Sequence, residues 1–253
     1  EKSGFQKEVI AFQEKAFKKP LRQEQQIFSF LPHQLAKTSI FFPMSDRELK
    51  EENRHISKIE HETGWGKVII EGIKLAIFEE DILLALLTLL KDNPSKLKSE
   101  AALETNINKI VNLLYGERGY SKKSEEVILR ALKHFELVSF DFILGDWKKR
   151  GKERLNVEEL YSVGNIISAY HYNTGTKELK IYFNPHFLAF FQQSMLTTIN
   201  LSIRRNLKKD GSKALLRFLE AHTNPGRMHI LTVLNAINYN INQPRFALRR
   251  RFK

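Results

Sequence analysis

The sequence contains no cysteine among its 253 residues. This absence excludes disulfide bonds and thiolate metal sites. A continuous run of about 18 apolar residues, as a membrane-spanning helix requires, is also missing. The most apolar stretch, residues 82–90, is far shorter. The first residues lack the basic, apolar and small-residue order of a secretory signal, so we expect a cytoplasmic protein.

Acidic residues are fewer than basic residues. The chain has 29 Asp and Glu against 41 Lys and Arg, which gives a net charge of +12 at pH 7. Such an excess favours polyanionic partners, with nucleic acid ahead of an anionic membrane surface. Apolar residues make up 42% of the chain, enough to form a core. At about 100 to 200 residues per domain, the length favours two domains.

Motifs that would indicate catalysis are missing too. The sequence has no GxxxxGK[ST], no GxGxxG, no HExxH, and no histidine pair accompanied by a nucleophilic tyrosine. Gly211-Ser212-Lys213 is a mere fragment of a phosphate loop, and His55 and His61 lack further ligands at metal spacing. We therefore expect no enzymatic activity, no cofactor and no metal site.

Apolar residues recur at helical spacing in four segments of the first half. Residues 5–16 predict an N-terminal amphipathic helix. Residues 79–90 predict a buried helix whose first turn carries three acids that favour the helix dipole. Residues 107–114 and 128–135 predict two more helices, joined by a short turn that ends in the N-cap Ser121. The last two helices and their turn indicate a helix-turn-helix.

Strand-like sequence flanks these helices. From Trp65 to Phe78 the pattern predicts a short β-hairpin with Gly72 at its turn. After the helix-turn-helix, residues 137–144 form a strand that leads into a basic loop, 145–152, and residues 166–172 form the returning strand. A helix-turn-helix followed by a basic hairpin is a winged helix, with the basic loop as its wing.

We place a domain boundary at Asn184-Pro185, where a strand ends and a new helix begins. The expected fold class is α+β, with two tandem winged-helix domains and a leading amphipathic helix. Residues 1–184 form the expected N-terminal domain and residues 185–253 the C-terminal domain.

The C-terminal domain has a similar three-helix outline. Phe218 and Leu219 predict the inward face of one helix, and Ile230 and Leu234 that of the next. Pro244 is typical of the first position of a third helix. We expect this third helix to continue beyond the last residue of the chain.

Positive charge concentrates where a tandem winged helix would present it to DNA. The second helix of a helix-turn-helix offers its outward side chains to bases and phosphates, and here these include His134. Glu125 and Glu126 on the same helix would repel phosphates, so a solvated or dimerising face is left open as the alternative. The candidate DNA contacts are Lys122, Lys123, Arg130 and Lys133 on this helix, Lys148, Lys149, Arg150 and Lys152 in the basic loop, Arg204, Arg205 and Lys208 ahead of the second domain, and Arg245, Arg249, Arg250 and Arg251 at the end.

The terminal group carries the strongest signal, because residues 245–253 hold five cations and no acid. Arg245 and Arg249 are one helical turn apart, a spacing suited to reading guanine through its O6 and N7 atoms. A solvated basic tail is the alternative interpretation.

Three passages carry a resemblance to a known family. They are the strand, turn, strand and Asn-Pro passage over residues 166–185, the stretch from Leu196 to His222, and the glycine-then-acidic-helix segment from Glu71 to Leu87. Together they resemble the plasmid replication initiators of the TrfA and Rep type. The resemblance runs from about Phe28 to the end of the chain.

This resemblance implies a protein that binds direct repeats (iterons) in a plasmid replication origin, opens adjacent A·T-rich DNA and recruits the host replicative helicase and sliding clamp. It implies a homodimer in equilibrium with a DNA-binding monomer. The first domain would provide dimerisation and auxiliary DNA contacts, and the second the main base contacts. Two alternatives are a tandem winged-helix transcriptional regulator that binds DNA without melting it, and an enzyme acting on DNA.

Overall fold

The computed structural model describes residues 26–63, 66–91, 102–116, 121–145, 157–222 and 226–240. The predicted N-terminal helix lies outside these residues. Within them the protein has a mixed α+β fold. The helices are α1 (His33–Lys37), α2 (Ile77–Lys91), α3 (Ile107–Tyr115), α4 (Lys122–Leu137), α5 (Pro185–Gln193), α6 (Leu201–Asn206), α7 (Asp210–Glu220) and α8 (Ile230–Ala236).

The described strands form four sheets, with strand orders β1-β11, β2-β5, β6-β10-β9 and β3-β4-β7-β8. The β2-β5 pair is parallel and the other pairs are antiparallel. The strands are β1 (Phe28–Pro32), β2 (Phe41–Phe42), β3 (His55–Thr63), β4 (Gly66–Ile73), β5 (Leu75–Ala76), β6 (Ala102–Asn106), β7 (Ser139–Gly145), β8 (Val157–Gly164), β9 (Ile167–Tyr172), β10 (Glu178–Phe183) and β11 (Leu196–Asn200).

Helix α2 runs through the centre of the core. Ile82, Leu83, Leu86, Leu87 and Leu90 are each at most 3% exposed, so the prediction of a buried helix is confirmed. The helix packs against β1 and α3. Burying side chains of this kind contributes about 1.5 to 3 kcal/mol each, and α2 is therefore the element around which the others assemble.

The chain from α2 to β10 has the element order of a winged helix, with β7 and β8 inserted between α4 and β9. Helices α3 and α4 confirm the predicted helix-turn-helix. The Ser121 side chain accepts a hydrogen bond from the backbone N–H of Ser124 over 3.1 Å, which confirms the predicted N-cap. Strand β6 precedes α3 and pairs with β10, which also pairs with β9. These three strands form one antiparallel sheet.

Strands β7 and β8, which flank the basic loop in sequence, belong to a different sheet from β9 and β10. Strand β7 ends at Gly145 and pairs with β8, so the returning strand is Val157–Gly164 and our prediction of residues 166–172 is wrong. Those residues form β9, which pairs with β10. Two antiparallel pairs follow each other here, and hydrophobic alternation alone does not tell which of them joins β6.

Gly72 is not the turn of a hairpin, as the sequence predicted. Strand β4 passes through it and pairs with β3, which lies upstream. The φ angle of Gly72 is +86°, and a Cβ atom added there would lie 2.1 Å from the carbonyl oxygen of Leu137. A glycine permits both the left-handed backbone and this close approach, and these needs explain why a glycine stands within a strand.

Contacts cross the predicted boundary at residues 184 and 185. Helix α5 begins at Pro185, as predicted, and the Asn184 side chain accepts from the backbone N–H of His186 over 2.9 Å. Beyond it, however, β11 pairs with β1 along its whole length, with Phe28 opposite Asn200. Segments from both sides of the boundary thus share one sheet, and the division into two domains stays a prediction.

The inward faces of α7 and α8 agree with the prediction only in part. Phe218 on α7 and Leu234 on α8 are buried, as predicted, but Leu219 is 42% and Ile230 56% exposed, so their predicted inward position is wrong. Neighbouring residues of an α-helix point about 100° apart, and Phe218 and Leu219 therefore do not both face the core. The predicted third helix from Pro244 lies outside the described residues.

Candidate nucleic-acid interface

Helix α4 presents a row of cations to solvent. The side chains of Lys122, Lys123, Arg130 and Lys133 are exposed, while the apolar residues on the opposite face of the helix are buried. Lys123 and Arg130 are about two helical turns apart and Lys122 and Lys133 about three, so the four lie along one side of the helix. The structure thus brings together the four cations that the sequence singled out on this helix.

Two of these cations are held by neighbours. The guanidinium carbon of Arg130 lies 5.6 Å from the centre of the Phe78 ring, and the guanidinium of Arg54 lies at the same distance from that ring. Lys133 donates to Glu136 over 2.9 Å, a hydrogen bond that raises the pKa of the lysine. Both side chains therefore have a defined position on the helix surface.

Glu125, which the sequence suggested would repel phosphates, accepts hydrogen bonds from two side chains of the protein. One of its carboxylate oxygens accepts from the Tyr172 hydroxyl over 2.6 Å, and the other lies 3.1 Å from the Lys177 ammonium. The hydrogen bond from Tyr172, followed by that from Lys177, lowers the pKa of Glu125. Its charge is therefore balanced locally, whereas Glu126 is exposed.

His134 does not face outward as predicted. It is 1% exposed, with Nδ1 2.5 Å from a carboxylate oxygen of Glu79 and Nε2 3.1 Å from Glu51. The prediction was wrong because His134 lies next to Lys133 in sequence but about 100° away from it around the helix. His134 therefore connects α4 to Glu79 on α2 and to Glu51.

The tip of the winged-helix hairpin is the turn between β9 and β10. The side chain of Asn173 accepts hydrogen bonds from the backbone N–H groups of Gly175 and Thr176. Lys177 closes the turn with a φ angle of +60°. Sequence reasoning found this turn but did not recognise it as a wing, because its charge is lower than that of the loop at 145–152.

The cluster ahead of α7 divides into buried and exposed members. Arg204 is 2% exposed, and its Nε donates to Asp81 over 2.6 Å while its Nη1 donates to the carbonyl of Lys213. Arg205 is half-buried, and Lys208 and Lys209 are exposed. The guanidinium of Arg204 thus faces the interior, and the exposed charge of this cluster lies at the start of α7.

The remaining candidates lie outside the described residues. The candidates in the basic loop are Lys148, Lys149, Arg150 and Lys152, and those at the end of the chain are Arg245, Arg249, Arg250 and Arg251.

Two other kinds of site were considered in the described part of the chain. There, no group of three or more histidine, aspartate or glutamate side chains is arranged to hold a metal ion. None of the helices described is long and apolar enough to cross a membrane.

Comparison with known proteins gives both a family and a fold. The family model for the initiator replication protein, WH1, matches residues 66–220. The crystal structure of domains 2 and 3 of RctB is similar, with a TM-score of 0.52, 12% identity, and coverage of 87% of this chain and 84% of that one.

A second structure of RctB domains 2–3 gives a TM-score of 0.41 and 12% identity, over 64% of this chain and 59% of that one. No curated protein sequence matches the chain. The first of these two similarities shows that the α+β fold is shared with RctB domains 2 and 3 despite the low identity.

Proposed function

The chain belongs to the initiator replication protein family, and we propose that it starts the replication of a plasmid by binding direct repeats in the origin. The match over residues 66–220 is the observation that carries this proposal. Members of the family are non-enzymatic DNA-binding initiators, so the prediction that the chain is not an enzyme is confirmed.

The proposed arrangement is two winged-helix units in tandem. The first extends from α2 to β10, with α4 as the second helix of its helix-turn-helix and the β9–β10 turn as its wing. The second comprises residues 185–253 and supplies the main base contacts through Arg245 and Arg249. This order is supported by the described helices α7 and α8, which precede Pro244.

The charge distribution supports contact with a duplex. A net charge of +12 favours a polyanion, and α4 carries four cations on its solvent side. The second helix of a helix-turn-helix enters the major groove with its N-terminal residues foremost, and in our proposal Lys122 and Lys123 make this contact. Lys208, exposed ahead of α7, adds a contact of the backbone-positioning kind.

The further steps of initiation follow from the same proposal. After binding the repeats, the protein opens an adjacent A·T-rich stretch in the cytoplasm and recruits the host replicative helicase and sliding clamp. The first unit provides the surface of a homodimer, which exchanges with the DNA-binding monomer. No cofactor takes part.

The decisive experiment measures binding to the repeat array of the replicon that encodes the chain and to an unrelated duplex of equal length, across a salt series. A preference of about a thousandfold or more for the repeats, with a steep salt dependence, is expected. A matched pair of double variants tests the interface. Lys122→Ala/Lys123→Ala should weaken binding, whereas Lys58→Ala/Lys67→Ala, which removes equal charge beside Glu60 on β3 and β4, should not.

Equal affinity for both duplexes would reject the proposal and leave a nonspecific basic protein. A single-strand-specific chemical probe then tests opening of the A·T-rich stretch. Tight repeat binding without any opening would identify a tandem winged-helix transcriptional regulator instead.

A further inference from the structure

Three consecutive acids begin α2 and point in different directions. Successive residues of a helix are about 100° apart, so Glu79, Glu80 and Asp81 reach three sides of α2. Glu79 and Glu80 are fully buried, and the Asp81 side chain is 15% exposed. Acids that serve the helix dipole alone need no such burial, so their partners indicate what they do.

Glu79 holds α4, the helix with the row of cations. One of its oxygens accepts from Arg54 over 2.6 Å and lies 2.5 Å from Nδ1 of His134 on α4. The other accepts from the backbone N–H of Ala76 over 2.5 Å. Arg54 also lies over Phe78, the ring that Arg130 covers from α4. Both the buried and the exposed side of α4 are thereby tied to the first turn of α2.

Glu80 and Asp81 hold the basic segment at the start of α7. Arg217 donates to Glu80 over 2.5 Å, and Arg204 lies 3.2 Å from the same oxygen. Asp81 accepts from Arg204 over 2.6 Å and from Lys213 over 2.5 Å. Arg204 lies in the last turn of α6, and Lys213 and Arg217 belong to α7. The exposed Lys208 and Lys209 lie between these anchored points.

These ion pairs are better suited to fixing geometry than to adding stability. Desolvation of two buried charges offsets most of their attraction, and the benefit depends on precise placement. Arg204 and Arg217 are at most 2% exposed. Moreover, Nε and Nη2 of Arg217 have no hydrogen-bond acceptor among the described residues, which is a cost to stability. An apolar contact between α2 and helices α6 and α7 would be non-directional, and it would fix their relative position less closely.

We infer that Glu79, Glu80 and Asp81 are positioning residues for DNA recognition: they fix the α4 cations relative to Lys208 and Lys209 and so set which phosphates the protein contacts together. The inference rests on the proposed function, since it takes both basic surfaces to lie on the same DNA. The three acids do not touch the DNA themselves. They act through His134, Arg204, Arg217 and Lys213.

The absence of cysteine makes a direct test possible. Spin labels on introduced cysteines, Lys123→Cys and Lys208→Cys, report the distance between the two surfaces without interference. Asp81→Asn removes the charge but keeps the shape of the side chain, at a position that is not fully buried. Glu60→Gln makes the same charge change at an exposed site on β3, and Asp81→Glu keeps the carboxylate.

We expect a narrow distance distribution in the parent chain and in Glu60→Gln, a broader one in Asp81→Asn, and a return towards the narrow one in Asp81→Glu. In the unlabelled proteins, Asp81→Asn should weaken binding to the repeat array by about tenfold with little effect on an unrelated duplex. If Asp81→Asn does not fold, Lys213→Met breaks the same pair from a partner that is 20% exposed.

A distribution that stays narrow in a folded variant would overturn the inference, as would broadening without any loss of repeat binding. Failure of the proposed function looks different. In that case the parent chain shows no preference among duplexes, while the spin labels still report whether the acids fix the two surfaces.

Discussion

The hydroxyl of Tyr172 donates to a carboxylate oxygen of Glu125 over 2.6 Å and so joins the β9–β10 hairpin to the first turn of α4. This contact balances an acid within a basic surface. It also fixes the wing relative to the helix that we propose enters the major groove. The hydrogen bond lowers the pKa of Glu125, so its contribution to stability depends on pH.

We predict that Tyr172→Phe lowers the melting temperature by a few degrees at neutral pH, because the carboxylate loses its hydroxyl donor. A carboxyl group with a lowered pKa contributes stability above its ordinary value of 4.5 and loses it as the pH falls through the folded-state pKa. The difference between variant and parent should therefore shrink in acid. Thermal unfolding over a pH series measures it, with Tyr115→Phe, at a residue 47% exposed, as control. An unchanged difference at all pH values would contradict the assigned cause.

Gly72→Ala should destabilise the protein strongly. The new Cβ would lie 2.1 Å from the carbonyl oxygen of Leu137, on a backbone with a φ angle of +86°, so either β4 or the end of α4 must move. We expect a loss of about 3 kcal/mol or more in the free energy of unfolding, measured by urea denaturation. Gly226→Ala, where nothing lies within 4 Å of the added Cβ, is the control. Equal small losses in both variants would show that the strand adapts.

The two basic segments should differ in their importance for DNA binding. Arg249→Ala/Arg250→Ala should weaken binding to the repeats much more than Lys122→Ala/Lys123→Ala, because we assign base reading to the terminal arginines. Each double variant should reduce the salt slope by roughly two if both residues contact phosphates. Fluorescence anisotropy across a salt series measures both quantities. Similar losses would reverse our ranking of the two units.

Glu220 should make the protein less stable as the pH rises. Burial raises the pKa of Glu220 to about 7, against the weaker opposing effects of the Asn200 N–H and of Arg204. An acid with a raised folded-state pKa binds a proton more tightly when folded, so its contribution is lost between pH 4.5 and about 7. Glu220→Gln should thus gain stability over the parent through that interval.

Urea unfolding below pH 4.5 and above pH 7 tests this prediction, with Glu104→Gln, at a side chain 55% exposed, as control. Burial also lowers the pKa of His33 to about 4, which makes stability rise with pH up to 6.5. That effect is present in parent and variant alike and cancels in their difference. A constant difference across the interval would show that Glu220 is ionised throughout.

Local signals in the sequence located the longer helices. The predicted N-cap Ser121 and the Asn184-Pro185 pair placed the starts of α4 and α5 correctly, whereas the short helices α1 and α6 were not predicted. Strand β3 was not predicted, because an irregularity in its pairing between Ile56 and Ile59 breaks the alternation by which strands are recognised. Strands β1 and β11 were not predicted for a different reason: each pairs with a segment far away in the chain, and no local pattern reveals such a pairing.

The functional surface was predicted less completely, because a charged residue looks the same in sequence whether it is solvated or paired. Arg130 and Arg204 were read alike, yet one lies on the surface and the other pairs with Asp81 in the interior. The acids at 79–81 were read as helix-dipole residues. Their partners His134 and Arg217 come from positions 55 and 137 residues away from Glu79 and Glu80 respectively, which no local pattern reveals.

The β1–β11 pair has a consequence for synthesis on the ribosome. Just before β1, the backbone of Ile27 donates to Ser202, 175 residues further along. At about 5 to 20 residues per second, β1 waits roughly 10 to 35 s for its partner strand. Until then it is an unpaired edge able to join other chains. The nascent protein therefore depends on shielding during translation, and its core closes late, after most of the chain has emerged.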